Sequence, residues 1–287
     1  MQPKTNRRRK GAPDRRKAPD RHHLYSAAVQ SVDADIQFFK RIYKRRNGGP
    51  FRRLREDFCG TAWLAGEWVR RGADHEAWGV DVDRKTLDWS RAHYAPRLGR
   101  RASRLHLLRR NVLDITAPKV DLVNALNFSY SVFKTRELLG GYFRQVRRSL
   151  APGGIFVLDA WGGSETLCED REERKIPASK AFDGTRLPRF TYVWEQARFN
   201  PIDHHIVCHI HFRLQDGTRM NKAFHYDWRL WSLPEMRELL LDAGFSSTEV
   251  YVDGWDEDEN DGDGIFRRRT YFENQQSWVA YLVAYTS

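Results

Sequence analysis

The residues best suited to chemistry lie in Leu54–Trp63, which reads LREDFCGTAW. The flanking patterns favour a strand before Cys59–Thr61 and a helix after it, so these small residues form the turn between them. Such a turn brings the backbone close to a ligand, and the first N–H groups of the helix face that ligand. Asp81 follows Gly60 by 21 residues, at the end of another predicted strand. An acid at this offset is placed to bind a ribose diol, so the pattern predicts a nucleoside-containing cofactor.

The residues of this turn do not match two other nucleotide-binding motifs. Gly60 is the only glycine between Gly49 and Gly66. The Gly-x-Gly-x-x-Gly fingerprint of dinucleotide sites is therefore absent. No Gly-Lys-Ser/Thr follows either, so the turn is not a phosphate loop.

Composition bounds the class of protein. The chain has 287 residues, 40% of them apolar, which predicts a globular protein with a full core. Its net charge is +11, and residues 1–21 carry +7 of it through nine Lys/Arg and two Asp. We expect a solvated, disordered basic tail there, and an arm that binds RNA or an acidic partner is the alternative. Three widely spaced cysteines favour a reducing, cytoplasmic location, and we expect neither a secretory signal nor a membrane span.

Strands and helices alternate through the first half of the chain. The predicted strands are Phe51–Phe58, Glu76–Asp81, Arg104–Arg109, Asp121–Asn127 and Gly154–Asp159. The predicted helices between them are Thr61–Arg71, Arg84–Ala95 and Thr135–Leu150. This alternation predicts an α/β fold with a doubly wound, mostly parallel sheet, seven-stranded once the two closing strands are counted. Ligands of such sheets bind beyond the carboxyl ends of the strands, where Glu56, Asp81, Asn111, Asn127 and Asp159 fall.

The alternation divides the chain into four predicted parts. Residues 1–21 are the basic tail, and 22–160 are a cofactor-binding α/β core with an N-terminal helical cover. Residues 161–231 form an antiparallel β insertion of about three strands that serves as a substrate lid. Residues 232–287 contribute a helix and antiparallel strands that complete the core.

Three stretches of this sequence resemble class I S-adenosylmethionine (SAM)-dependent methyltransferases. EDFCGTA resembles motif I, an acid followed by x-Gly-Cys-Gly-Thr-Gly, while VDLVNALNF resembles motif IV and LAPGGIFVLD resembles the turn before the fifth strand. The chain is similar to a bacterial methyltransferase branch, distantly related to small-molecule enzymes of the glycine N-methyltransferase type. Phe58 and Ala62 depart from motif I, because they stand where the family has glycine.

The resemblance implies a Rossmann-like methyltransferase fold, SAM as cofactor and a set of binding residues. Glu56 is implied to bind the amino group of SAM, Gly60 to give close backbone approach and Asp81 to hold the ribose. Asn111 is implied to read the adenine amino group, with a turn or helix cap as the alternative role. The remaining implied cofactor contacts are Phe58, Thr61, Ala62, Val82, Val112, Asn127 and Phe128.

The acceptor side is less defined by the sequence. An amine acceptor needs alignment more than a dedicated base, whereas an oxygen acceptor requires a His or carboxylate in reach. Candidates for that base are His204, His205, His209, His211, His225 and Asp227. Candidate catalytic residues are Tyr25, Tyr130, Tyr226 and Trp228. The rings of Tyr226, Trp228 and Trp231 form either an aromatic cap over the substrate or the insertion's own core.

No metal site is predicted. His209 and His211 share one face of a strand without the spacing of zinc ligands. The acidic segment Asp256–Asp263 does not match the register of a calcium loop, so a solvated loop is predicted.

The sequence predicts an enzyme, a SAM-dependent methyltransferase that acts on a small molecule, with nitrogen as the acceptor atom. An RNA- or ribosome-associated methyltransferase that uses the basic tail is the alternative, and it is not favoured. A non-catalytic SAM-binding protein is the third hypothesis. No membrane partner is expected, and the oligomeric state and the identity of the acceptor are left open.

Overall fold

The computed structural model describes residues 19–115, 118–256, 261–262 and 264–287. Most of the predicted basic tail and most of the predicted acidic loop lie outside these ranges. Its strands, in chain order, are β1 (Arg53–Asp57), β2 (Glu76–Asp81), β3 (Leu105–Arg109), β4 (Val120–Ala125), β5 (Leu150–Gly162), β6 (Asp170–Ile176), β7 (Ser179–Lys180), β8 (Arg186–Leu187), β9 (Phe190–Asn200), β10 (His205–Leu214), β11 (Arg219–Arg229), β12 (Ser247–Val252), β13 (Trp255–Asp256), β14 (Asp261–Gly262), β15 (Arg267–Arg269) and β16 (Trp278–Tyr285). Its α-helices are α1 (Arg21–Val29), α2 (Val32–Asn47), α3 (Trp63–Arg70), α4 (Arg84–His93), α5 (Arg136–Ser149) and α6 (Leu233–Asp242).

The main sheet has eight described strands in the order β15-β12-β16-β5-β4-β1-β2-β3. β1 to β5 pair in parallel, and β16 pairs antiparallel with both β5 and β12. The predicted doubly wound α/β fold with an antiparallel insertion is therefore confirmed. The eighth strand, β15, was not predicted, because three consecutive arginines carry no apolar alternation. They suit an exposed sheet edge, where positive charge hinders pairing with another chain.

Two apolar layers enclose this sheet. One face packs against α5 and α6 through residues such as Tyr142, Phe143 and Leu240. The other face packs against α2 and α3 through Phe39, Trp68 and their neighbours. Local caps set the helix ends: the Ser232 side chain and Glu235 form a capping box at α6, and Gly48, at φ 74°, ends α2. Because β1, β2 and β4 run parallel, their carboxyl ends lie at one rim of the sheet.

The insertion is a four-stranded antiparallel sheet in the order β11-β10-β9-β6. Its inner face carries Phe190, Tyr192, Ile210 and Phe212, which pack with Leu24 of α1. β6 is the strand that sequence patterning missed, since six of its seven residues are charged. α1 starts at Arg21, the last residue of the predicted tail, and Asp20 caps it by accepting from the His22 N–H at 2.8 Å. None of the described helices combines the length and apolar character needed to cross a membrane.

Candidate active site

A cavity of about 420 Å³, called here the turn cavity, opens at the carboxyl ends of β1, β2 and β4. The segment between β1 and α3 forms one side, and α1 together with the end of β11 forms the other. Its wall consists of Arg21, His22, Tyr25, Gln30, Glu56, Asp57, Phe58, Cys59, Gly60, Thr61, Asp81, Asp83, Thr86, Leu126, Asn127, Ser129, Val132, Phe224, His225, Tyr226 and Trp228. The predicted strand–turn–helix arrangement therefore does face a cavity.

Three alternate residues of this turn have left-handed backbone: Phe58 at φ 55°, Gly60 at φ 52° and Ala62 at φ 54°. Phe58 and Ala62 stand at the positions where motif I carries glycine, so the turn keeps a glycine-type conformation without glycine. A side chain in this region costs on the order of 1–2 kcal/mol. Strain of this size is typical of ligand-binding sites and is held in place by the surrounding structure.

Asp81 and Gly60 are joined directly. The Gly60 backbone N–H donates to Asp81 Oδ2 at 2.9 Å, and the Asp83 N–H donates to Oδ1 at 2.8 Å. A Cβ added to Gly60 would meet nothing closer than Thr86 Cγ2 at 4.0 Å, so the turn is open on that side. Both oxygens of Asp81 retain lone pairs for further donors such as ribose hydroxyls.

Glu56 is buried at the end of β1. Its Oε2 accepts from the Ala65 N–H of α3 at 2.9 Å. Burial raises the pKa of Glu56 to about 8, and the charges of Asp35, Asp81 and Asp57 act in the same direction. A cationic ligand beside Glu56 would favour the ionised carboxylate and so oppose this shift.

A second cavity of about 560 Å³, the insertion cavity, lies between the sheet end, the α1–α2 junction and the inner face of the insertion. Seven residues line both cavities: Tyr25, Gln30, Glu56, Leu126, Asn127, Tyr226 and Trp228. The two spaces therefore share one wall, which we call the seam.

The main chain is strained at Asn127 of the seam and at the residue that follows it. Asn127 and Phe128 are consecutive residues with left-handed backbone, at φ 56° and φ 57°. Asp159 of β5 holds both, because its Oδ2 accepts from the Asn127 N–H at 2.7 Å and its Oδ1 from the Phe128 N–H at 2.9 Å. Burial raises the pKa of Asp159 to about 7, although these two hydrogen bonds oppose the shift.

Sequence reasoning missed Asp35 of α2, which lines the insertion cavity. The Tyr281 hydroxyl of β16 donates to its carboxylate, and burial raises its pKa to about 6. A signal was present, since Asp35 lies three residues after Val32 and four before Phe39, on the apolar face of its helix.

The predicted cofactor contacts fall into two groups. Those that line the turn cavity are Glu56, Phe58, Gly60, Thr61, Asp81 and Asn127, while Phe128 lines the insertion cavity. The other three, Ala62, Val82 and Val112, line neither cavity. Ala62 is fully buried, Val82 is 63% exposed and Val112 is buried in the apolar layer that packs against α5. The Asn111 side chain accepts from the Leu113 N–H at 3.0 Å, which is the capping role given as the alternative for this residue. Its contact with adenine stays a prediction.

The predicted catalytic candidates divide similarly. Tyr25, Tyr226 and Trp228 lie at the seam, and burial raises the pKa of both tyrosines. Tyr130 is buried in the α5-side core and lines neither cavity. Trp231 also belongs to that core, where its indole N–H donates to the Phe133 carbonyl at 3.0 Å.

Only His225 of the predicted bases lines one of the two cavities. His209 and His211 lie on the opposite face of β10 from its cavity-lining Ile210, beside Glu195 of β9. His211 Nδ1 accepts from the Lys222 N–H at 3.2 Å, and Nε2 lies 3.0 Å from Glu195 Oε2. A neutral imidazole that accepts at Nδ1 carries its proton on Nε2, so both ring nitrogens of His211 are engaged by the protein.

Solved structures share this architecture. A SAM-dependent methyltransferase from Clostridium acetobutylicum ATCC 824 matches at TM-score 0.63 and 17% identity, over 93% of this chain and 98% of that one. The SAM-bound amino pentose methyltransferase CalS10 from Micromonospora echinaspora matches at 0.64 and 14%, over 93% and 96%. The sugar N-methyltransferase KedS8 from Streptoalloteichus sp ATCC 53650 matches at 0.62 and 15%, over 100% and 98%. No protein-family model and no curated protein matches the sequence. The chain therefore has the fold of class I SAM-dependent methyltransferases.

Proposed function

We propose that this protein is a SAM-dependent methyltransferase that transfers a methyl group to a nitrogen atom of a small molecule. The observation that carries the proposal is the seam. A cofactor in the turn cavity and an acceptor in the insertion cavity would meet there. A purely SAM-binding protein would need only the first of the two cavities.

The residues of the turn cavity fit SAM. The backbone at Gly60 is open to close approach, and Asp81 presents carboxylate oxygens for ribose hydroxyls. The buried carboxyl of Glu56 suits a ligand with an ammonium group. When bound, SAM supplies a methyl group on a positively charged sulfur, which is already a strong electrophile.

The seam residues would orient an acceptor rather than activate it. Tyr226 and Trp228 stack with ring centroids 4.2 Å apart and an interplanar angle of 28°. Together with Tyr25 they present aromatic surface to the acceptor side, which suits an amine. The Asp159 carboxylate fixes the main chain of Asn127 and Phe128, so the wall beside the transferred group is rigid. The names of CalS10 and KedS8, an amino pentose methyltransferase and a sugar N-methyltransferase, support nitrogen as the acceptor atom.

Calorimetric titration of the full chain with SAM tests the first half of the proposal. We expect one site per chain with a dissociation constant in the micromolar range, and no heat of binding would refute it. A screen with labelled SAM over amines, phenols and RNA tests the second half. Label transfer to an amine supports the proposal, whereas transfer to RNA alone would favour the alternative that uses the basic tail.

A further inference from the structure

Carboxyl groups predominate among the ionisable side chains that line the insertion cavity. Besides Asp253, six described carboxyl groups line it, and Arg174 is the one described cation that does so. Arg174 does not neutralise them directly, because its Nη2 donates to the Ala28 carbonyl at 2.9 Å and its guanidinium stacks on Tyr192, 4.9 Å from the ring centroid. The cavity is therefore lined mainly by carboxyl groups with which this arginine does not pair. The exposed carboxyl groups bring negative charge, and a cation beside the buried ones would favour their ionised form.

Three of these carboxyl groups are buried close to the seam. Glu56, Asp35 and Asp159 are each less than one-tenth exposed. Their hydrogen bonds come from backbone N–H groups and a tyrosine hydroxyl. Within the part of the chain that the structure describes, no Lys or Arg forms an ion pair with any of them. Burial favours the neutral form of each in the ligand-free protein, and a cation beside them would favour ionisation. The ammonium group of SAM would supply that cation for Glu56, which leaves Asp35 and Asp159 to a cation in the insertion cavity.

Three further carboxyl groups lie at the exposed side of the same cavity. Oxygens of Glu165, Asp170 and Glu172 come within 4.8 Å of one another. No described basic side chain forms an ion pair with them. Like charges this close repel, and a cation that enters the cavity relieves the repulsion.

Two other features of the cavity also suit a cationic ligand. The indole rings of Trp161, Trp194 and Trp228 line it, and aromatic faces attract cations. The Gln30 Oε1 atom is buried at the seam and has no hydrogen-bond partner among the described residues, so it is available to a donor on the ligand.

We propose that the acceptor is a small organic amine that carries a second, positively charged group and no phosphate or carboxylate group. Its attacking nitrogen loses its proton to solvent, takes the methyl group from the SAM sulfur as the neutral amine and leaves S-adenosylhomocysteine, while the carboxyl groups hold the second, cationic group. This inference rests on the proposed function and narrows it to a substrate class. The carboxyl groups attract the cation and repel anionic acceptors, so the same residues select for one class and against another. Nucleotide-linked and nucleic-acid acceptors are excluded by the same repulsion.

Three para-substituted benzylamines of similar size test the proposal. They are para-xylylenediamine, para-(aminomethyl)benzyl alcohol and para-(aminomethyl)benzoate. Near neutral pH the second substituent of these compounds is positive, neutral and negative, respectively. Quenching of the cavity tryptophans would report binding to the full chain. We expect the diamine to bind about tenfold more tightly than the alcohol, and the benzoate to bind weakest.

Glu172→Gln and Glu173→Gln form a matched pair on β6. Glu172 lines the cavity, whereas Glu173 lies on the other face and pairs with Arg213. Both are exposed, so neither change threatens the fold. We expect Glu172→Gln to reduce the preference for the diamine over the alcohol several-fold, and Glu173→Gln to leave it unchanged.

The proposal is overturned if the benzoate binds as tightly as the diamine, if none of the three probes binds, or if both variants behave alike. Calorimetric titration with SAM is the independent arm. Normal SAM binding without charge selection among the probes would leave the methyltransferase proposal standing and remove this one alone.

Discussion

Asp159 Oδ2 accepts a hydrogen bond of 2.7 Å from the backbone N–H of Asn127 across the rim of the sheet. Its other oxygen accepts from the next N–H, that of Phe128, at 2.9 Å. One carboxylate thus holds two consecutive residues in left-handed backbone. Asn127 lies at the seam, so this contact links the end of β5 to the place where donor and acceptor would meet.

Asp159→Ala removes both acceptors and leaves two N–H groups without their partner in a strained segment. We expect the free energy of unfolding to fall by about 3 kcal/mol, since an unsatisfied donor costs about 1–3 kcal/mol when buried and both of these N–H groups are partly buried. SAM affinity should fall as well, because Asn127 lines the turn cavity. Urea denaturation and calorimetry measure the two effects.

Asp159→Asn is the control for this change. Its side-chain oxygen can still accept one of the two hydrogen bonds, so an intermediate loss is expected. Wild-type stability in the alanine variant would mean that the two hydrogen bonds do not hold the seam.

The buried acids predict an unusual pH dependence for the ligand-free protein. Folding raises the pKa of Glu56 from its ordinary 4.5 to about 8, of Asp159 to about 7 and of Asp35 to about 6. Between those values the folded state binds more protons than the unfolded state, so stability falls as pH rises. The contribution of these three acids to the free energy of unfolding is fully present below about pH 4 and is lost as the pH rises to about 8.

Urea denaturation at a series of pH values checks this sign. We expect Glu56→Gln to flatten the decline between pH 5 and 8, because the amide cannot ionise. Saturating SAM should flatten it too, since a cation near these groups lowers their pKa. Stability that rises over this interval would show that the acids are ionised in the folded protein.

The sequence predicted much of the turn cavity because its residues are local. Glu56, Gly60 and Asp81 stand at fixed offsets around one strand–turn–helix unit, and the parallel sheet brings the two acids to the same rim. Phe58 and Ala62 depart from motif I in residue type. Their left-handed φ angles show that the backbone shape persists although the residue types differ.

The insertion cavity was harder to predict, because it depends on contacts distant in sequence. Asp35, Asp159 and Glu172 come from α2, β5 and β6, and no spacing rule relates them. The charged composition of β6 also hides its pairing with β9, because charged residues are uncommon in predicted strands.

Ala62→Gly and Ala65→Gly form a matched pair in and beside the turn. Both alanines are fully buried, so each change removes one buried methyl group. Ala62 has φ 54°, which glycine adopts freely, whereas Ala65 lies inside α3, where glycine costs about 1 kcal/mol. We expect Ala65→Gly to lower the free energy of unfolding by about 1 kcal/mol more than Ala62→Gly does, because of the lower helix propensity of glycine.

Equal losses in the two variants would mean that the left-handed conformation at Ala62 is unstrained. SAM titration of Ala62→Gly adds a functional measurement. Affinity close to wild type is expected, because the substitution restores the residue that motif I carries at this position.

Asp81→Ala tests the assignment of the turn cavity to SAM most directly. The change removes the acceptor for the Gly60 N–H and the oxygens available to a ribose. We expect SAM affinity to fall by about 100-fold, since two hydrogen bonds to a charged group are lost at roughly 1.5 kcal/mol each. Asp88→Ala is the control, because Asp88 is exposed on α4 and pairs only with the exposed Arg84 and Arg91 among described residues. Calorimetry on both variants separates the two cases: equal affinities would place SAM elsewhere, whereas a loss confined to Asp81→Ala assigns the ribose to this carboxylate.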